Sequence, residues 1–421
     1  MNASELQIEF EKIINRDYFS DKFKPIREKA FEDFTSKGFP NKKLEDWRFT
    51  NLSRLYRNSF VISNKKHNNP VDVNLKKFHI QDVYTIVFVN GHYNTKLSDK
   101  INGVQLMTGL EYFEYKNTST DCLSNCPFEL LNTAFMDSGL SIVINKNQTL
   151  DKPIRFLFVA SDCENIMISP KINIDCGENS FFTFLHHFVG DSSHFFTNSS
   201  ISCSLEKNSS MRHIKIISDS KNGIIFNKIN VQQKQNSRFD FIQFCYDSNL
   251  SRTKIETRLD GEGAECSLNG ISLSRKNQQL GTHIVTNHFT PNCWSNQNFK
   301  NILLDNSSGI FNGKTVVHKH AQKTDSQQSN KNLILSKNAL MNSNPQLEIY
   351  ADDVKCSHGS TTGALDEDAL FYLRSRGLNL IEAKKLLIRG FAIELFEELK
   401  HEPTKNFIID KFESWLMNNA A

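Results

Sequence analysis

The chain has 421 residues, a formal net charge of +3 and a pI near 8.2. That balance, with no block of Lys or Arg, excludes a chain built to hold nucleic acid. No apolar run approaches the roughly 18 residues of a membrane span. Residues 1–10 have neither the basic nor the apolar part of a secretory leader, so a cytoplasmic protein is expected, its nine scattered cysteines reduced.

The first stretch reads as helical. Ser4 is placed to cap a helix with Leu6, Phe10, Ile13 and Ile14 on one side. After Pro25 a second helix carries Ile26, Ala30, Phe31 and Phe34, and Gly38 ends it. Residues 40–52 form a loop around Trp47, and the polar run 63–74 reads as exposed linker. These segments make an N-terminal helical region over 1–78.

From about Val83 to Ala351 the pattern is almost wholly strand-like, with alternating runs at 84–89, 140–144, 154–159 and 211–217. Small polar turns recur around Asn179, Asn208, Asn236, Gly263, Ser307 and Asn338. The first four are spaced by roughly 28 residues, the later ones more widely. Strands at this period predict a solenoid, in which each coil buries its inner face only by stacking on its neighbours. A sandwich, with strands about every 8 to 12 residues, is the alternative. The β-core is expected over 79–358. Asn is unusually common, for which genomic base composition is a sufficient account.

The remainder, 359–421, reads as a C-terminal helical region. Asp366 is an N-cap followed by Glu367 and Asp368 in the first turn, and Gly377 ends that helix. Asn379 and Glu382 form a capping box. Ala383, Leu386, Leu387, Phe391, Leu395 and Leu399 follow helical spacing. Pro403 breaks the pattern, and a last helix carries Ile408, Phe412, Trp415 and Leu416.

The most informative pair is Cys356 and His358. If the alternation of Leu347, Ile349 and Ala351 continues through them, both side chains share a face, about 7 Å apart at Cα. Thiolate plus imidazole suits iron or zinc, but two ligands are half a site, and the rest must come from elsewhere in the chain or from a partner. The plainer alternative is a buried cysteine beside a surface histidine.

Other candidates are weaker. Residues 309–315, GIFNGKT, are one residue short of a phosphate loop and lead into a strand-like run rather than a helix. They read as strand–turn–strand, and no nucleotide is expected. His318 and His320 have same-face strand spacing, so a second metal site with His283 or His288 stands against the safer view of exposed polar residues. His186, His187 and His194 lie among phenylalanines, where aromatic packing with satisfied imidazoles is expected. Cys122 and Cys126 lack the second pair that a zinc site needs. Asp352 and Asp353, read as adjacent strand residues, point to opposite faces and cannot share one substrate.

Residues 345–378, PQLEIYADDVKCSHGSTTGALDEDALFYLRSRGL, resemble the C-terminal signature of the SufB/SufD family of the SUF iron–sulfur cluster assembly system. ADDVKCSHG together with LFYLRSRG resembles its SufD branch. KLEDWRFTNL (43–52), FVNGHY (88–93), GIFNGKTVV (309–317) and QKTDSQQSNKNLILS (322–336) carry the likeness upstream. The match is dense from about residue 260 to 400 and thinner from about 95 to 255.

The resemblance implies a mainly β fold, a right-handed parallel β-helix between helical N- and C-terminal regions. It implies a scaffold subunit that is not itself an enzyme, in a complex with SufB and two copies of the ATPase SufC, which hydrolyses the ATP. No ATP is expected on this chain. Cys356 and His358 would lie at the SufB contact and share a nascent iron–sulfur cluster with the partner. The helices around 366–400 would dock SufC, with Leu386, Leu387, Arg389, Phe391 and Glu394 as docking residues, or simply pack against the end of the β-core. A homodimer in the absence of SufB stays open. So do two other classes: a docking module that never touches iron, and a β-helix enzyme acting on carbohydrate, for which the chain shows neither leader nor charged groove.

Overall fold

Two parallel sheets face each other and share one interior. The structure is a computed structural model that describes residues 3–15, 23–63, 75–116, 126–136, 139–161, 165–190 and 194–419. The chain opens with α1 (Ala3–Ile14), α2 (Lys24–Lys37), a 3₁₀ turn at Glu45–Trp47 and α3 (Ser53–Tyr56). There follow β1 (Val61–Ile62), β2 (Tyr84–Val89), β3 (His92–Tyr93), β4 (Gln105–Met107), α4 (Gly109–Lys116) and α5 (Pro127–Phe135). The coil is then built by β5 (Ser141–Ile144), β6 (Ile154–Ala160), β7 (Ile166–Ile168), β8 (Lys171–Cys176), β9 (Phe181–Gly190) and β10 (Phe195–Leu205). It continues with β11 (Ser210–Ile217), β12 (Ser220–Gln233), β13 (Arg238–Tyr246), β14 (Ser248–Leu259), β15 (Glu265–Ser274) and β16 (Gln279–His288). It ends with β17 (Trp294–Leu303), β18 (Ser308–Val317), β19 (Thr324–Ile334), β20 (Leu340–Ile349) and β21 (Val354–Gly363). Three helices close the chain: α6 (Glu367–Ser375), α7 (Leu380–Glu397) and α8 (Glu402–Asn419).

One sheet runs β20-β18-β16-β14-β12-β10-β8-β5-β4 and the other β21-β19-β17-β15-β13-β11-β9-β6-β2-β3. From β8 onward successive strands alternate between them, so the chain winds as a parallel β-helix of about seven turns. Ser210 pairs with Arg238, Arg238 with Glu265, and Glu265 with Trp294, close to the repeat read from the turns. The interior holds alternate residues of both sheets, among them Phe156, Phe184, Ile217, Phe241 and Ile255.

The turns account for part of the asparagine content. Asn147, Asn179, Asn208 and Asn236 sit at φ of 60°, 56°, 58° and 53°, a left-handed conformation that asparagine tolerates better than most residues. Their amides stack into a ladder: Asn179 donates to Asn147 at 2.9 Å, Asn208 to Asn179 at 3.0 Å, and Asn236 to Asn208 at 3.4 Å. Gly263 takes the next place at φ 70°.

The helices lie along the flanks of the coil. α1, α2, α5 and the 3₁₀ turn pack on the outer face of the first sheet through Phe10, Phe31, Phe128 and Trp47 against Phe196 and Phe226. α7 and α8 cover the outer face of the second, with Ile388, Leu395, Phe396, Phe412 and Trp415 on Ile214, Ile242, Ile271 and Ile302. α7 and α8 therefore lie along the flank rather than over the end of the coil.

Several local expectations change. α4 and α5 interrupt the stretch read as strand. Ser4 lies inside α1 rather than before it. Pro403 sits in the first turn of α8, where its missing N–H costs nothing. β21 runs through residue 358 to Gly363, across the boundary drawn there. Most of the run 63–74 lies outside the described residues. The caps stand as read: the Asp366 side chain accepts from Asp368 N and Ala369 N, and Asn379 and Glu382 form the capping box.

Candidate functional site at the last coil

Among the described residues β20 and β21 are the terminal strands of their sheets, each paired on one side only. Cys356 and His358 lie two residues apart on β21, in register with Ser326 and Gln328 of β19. Ser326 and Gln328 are buried and point inward, so the pair shares the inner face of the coil at its open end. Parallel-strand geometry sets the two Cα atoms about 7 Å apart. The continuous strand expected from Leu347 to His358 does not exist. Leu347 and Ile349 belong to β20, and the chain crosses to the other sheet through 350–353. Asp352 and Asp353 are exposed residues of that crossing, so the argument from opposite strand faces does not apply to them.

Cys356 is half-buried against Val317, Ala321 and Ala351, while His358 is exposed. Burial pushes the Cys356 thiol up, with a backbone hydrogen bond at Ser326 acting the other way. The free chain therefore presents a protonated thiol, and a metal must displace that proton to gain a thiolate.

Toward this end the interior turns from apolar to polar. The column inward from Cys356 reads Ser326, Ser295, Cys266, and that from His358 reads Gln328, Gln297, Leu268. These polar residues are buried but bonded to one another. His288 Nε2 lies 2.8 Å from Ser295 Oγ, which lies 2.9 Å from Ser326 Oγ. Gln328 Nε2 donates to Gln297 Oε1 at 2.7 Å, and Asn301 Nδ2 to Asn332 Oδ1 at 2.8 Å. This lining was not predicted above, because alternation of polar residues carries no sign of which set is buried. The runs SNQNFKN and DSQQSNKN hold it in plain view.

The other candidates disperse. Among the described residues no group of three or more His, Cys, Asp or Glu is placed to hold a metal ion. β18 ends at Val317, so His318 and His320 are not on a strand. His318 stacks on Phe289 at 4.1 Å. His283 faces outward against Arg252, and His288 points into the coil. His186 is packed by Phe158, Phe184 and Phe188, but neither ring nitrogen has a partner among the described residues, so only the packing half of that expectation stands. His187 faces the other way and reaches Ser218 Oγ at 3.0 Å. His194 is exposed. Cys122 lies outside the described residues. Residues 309–315 fall within the unbroken strand β18, without the turn expected or the helix a phosphate loop requires.

The docking candidates on α7 divide. Leu386 is exposed, Leu387 and Phe391 are half-buried, and the buried stripe is Ala383, Ile388, Ala392, Leu395 and Phe396. Arg389 donates to both carboxylate oxygens of Glu413 on α8, and Glu394 pairs with Lys300, which also donates to Phe391 O at 2.9 Å. These two charges therefore hold α7 to its own molecule. The exposed apolar side chains of these helices are instead Phe371 (74 % exposed) and Tyr372 of α6 with Ile381, Leu386 and Ile393 of α7.

Comparison with known proteins gives the family. Residues 158–391 match the family described as SUF system FeS cluster assembly, SufBD core domain, and residues 4–156 match the SufBD protein N-terminal region. The iron-sulfur cluster assembly protein SufD of Escherichia coli is 29 % identical over 401 residues, covering 94 % of each chain. An iron-sulfur cluster assembly SufBD family protein of Synechocystis is 31 % identical, over 89 % of this chain and 86 % of its own. Protein ABCI7, chloroplastic, of Arabidopsis thaliana is 26 % identical over 90 % of this chain and 83 % of its own. No helix among the described residues is long and apolar enough to cross a membrane. The chain belongs to the SufBD family of SUF-system iron–sulfur cluster assembly proteins.

Proposed function

We propose that this chain is the SufD-type scaffold subunit of a SUF complex, and that Cys356 and His358 supply part of the site where a nascent cluster is built. One observation carries the reading: a thiol and an imidazole share the inner face of a strand whose outer edge is unpaired. An unpaired parallel edge invites another strand. Leu340, Ile349 and Tyr350, all exposed at this end, give a partner apolar surface to cover. A SufB-type subunit joining there would bring the missing ligands. The exposed α6–α7 face is then the docking surface for the SufC-type ATPase, which hydrolyses the ATP while this chain performs no catalysis.

The docking-only reading remains the competitor, favoured by the raised Cys356 thiol and the lack of a third ligand near it among the described residues. Anaerobic co-expression with SufB and SufC separates the two. Cys356→Ser and His358→Ala should each lower iron and sulfide per complex while all three subunits still co-purify. Wild-type iron and sulfide in both variants would leave docking as the sole function.

A further inference from the structure

Gln328 is 3 % exposed, and its Oε1 is buried without a hydrogen-bond partner among the described residues. Its amide is not free to turn at will. Gln297 Nε2 reaches Thr286 Oγ1 at 3.3 Å and Thr315 Oγ1 at 3.1 Å, which leaves Gln297 Oε1 to accept from Gln328 Nε2 at 2.7 Å. Gln328 Oε1 is thus left over as an acceptor at the end of a locked chain. Space for the amide is made by Gly313 on the facing sheet, where a Cβ would fall 1.9 Å from Gln328 Nε2.

Above Gln328 in the same inward column stands His358, one strand spacing away, about 4.8 Å. A buried carbonyl oxygen with no donor costs about 1–3 kcal/mol, and an imidazole N–H is a donor of the right reach. No hydrogen bond joins the two side chains in this structure, and the exposed ring has room to turn. We infer that Gln328 is a positioning residue, whose Oε1 accepts from the His358 ring and turns the opposite nitrogen toward the open end of the coil. Histidines that bind metal are commonly oriented by donating their other N–H to such an acceptor. The inference rests on the proposed role of His358 for its consequence, though not for its geometry.

Two measurements test it. In the isolated chain, ¹⁵N spectra of selectively labelled histidine, with His358→Ala assigning the signal, report the ring tautomer. Wild type should show one favoured tautomer, Gln328→Met should lose the bias, and Gln328→Glu, which keeps an acceptor, should retain it. Gly313→Ala, which displaces the amide without touching β21, should act like Gln328→Met. Identical spectra for wild type and Gln328→Met overturn the inference.

In the co-expressed complex, resistance of iron to a chelator should fall about tenfold or more in Gln328→Met, with no further loss when the same change is made in His358→Ala. Equal losses in both backgrounds would mean a merely structural Gln328 and also overturn the inference. Wild-type iron in His358→Ala would instead sink the proposed function at that residue, while the tautomer still decides whether the contact exists.

Discussion

The Arg252 guanidinium lies 3.9 Å from the ring centroid of Trp47, joining the N-terminal loop to the outer face of β14. Arg252 also reaches Thr50 Oγ1 at 3.2 Å and the His283 ring, and Lys254 on the same strand meets Asp46 at 3.1 Å. Burial lowers the Arg252 pKa to about 10, so the guanidinium stays charged at neutral pH and the cation–π contact is kept. The family-like stretch 43–52 is therefore an anchor.

Trp47→Ala should cost about 3–5 kcal/mol, because it removes a buried ring stacked 5.0 Å from Phe128 and leaves Arg252 with less cover. Trp47→Phe should cost markedly less. Denaturant midpoints of the three proteins check both, and equal midpoints for wild type and Trp47→Ala would contradict the anchoring role.

Lys215 is wholly buried between the sheets, with Gln243 Oε1 at 3.4 Å and the Thr253 hydroxyl as partners. Burial lowers its pKa to about 8 from 10.5. The unfolded chain thus binds more protons than the folded one between about pH 8 and 10.5, and this group favours folding more as pH rises through that window. Lys215→Met should be more stable than wild type at pH 7, by up to about 3 kcal/mol before its lost hydrogen bonds are counted. The gap should close by about pH 10.5. Unfolding curves of both proteins at pH 7 and 10 test the sign, and a gap that widens with pH would refute it.

The asparagine ladder gives a prediction that separates backbone strain from lost side-chain bonds. Asn208→Ala loses two side-chain hydrogen bonds and strains a left-handed residue, for roughly 1–3 kcal/mol. Asn208→Gly loses the same bonds without the strain, so it should be the milder change. Thermal denaturation ranks them, and the reverse order would argue against the φ of 58° as the cause.

On the C-terminal helices, Phe371→Ser and Ile393→Ser should reduce SufC co-purification several-fold, with Tm unchanged within about 2 °C, since both side chains are exposed. Arg389→Glu should behave differently. It breaks the α7–α8 pair with Glu413 and places two acids together, for about 1 kcal/mol of stability. Pull-down and melting of the same samples distinguish a lost contact from a loosened helix.

Much of this was legible along the chain where the cause is local. Asp366 and the Asn379–Glu382 box name their helix starts because the side chain bonds to backbone three residues away or fewer. The turns at Asn179, Asn208 and Asn236 mark the coil repeat because left-handed backbone selects asparagine. Helical spacing sets Leu386 and Leu387 in the apolar stripe, whereas Ile388, Ala392 and Phe396 are the ones that meet the sheet. Helical spacing gives the period of a stripe, and only the facing sheet chooses its phase. The crossing at 350–353 was missed because Leu347, Ile349 and Ala351 alternate as one strand would, with no glycine or proline between them to announce that the chain leaves one sheet for the other.

By itself the sequence determined the spacing of the turns, the helix caps, and the presence of a cysteine two residues before a histidine, since each is set within a few residues. Only the tertiary structure decided that these two face inward at an uncovered end, that polar columns lead up to them, and that the last helices lie along the flank. Those facts depend on strand register between residues about 30 positions apart, where burial is set by what stacks above and below rather than by any neighbour in the chain.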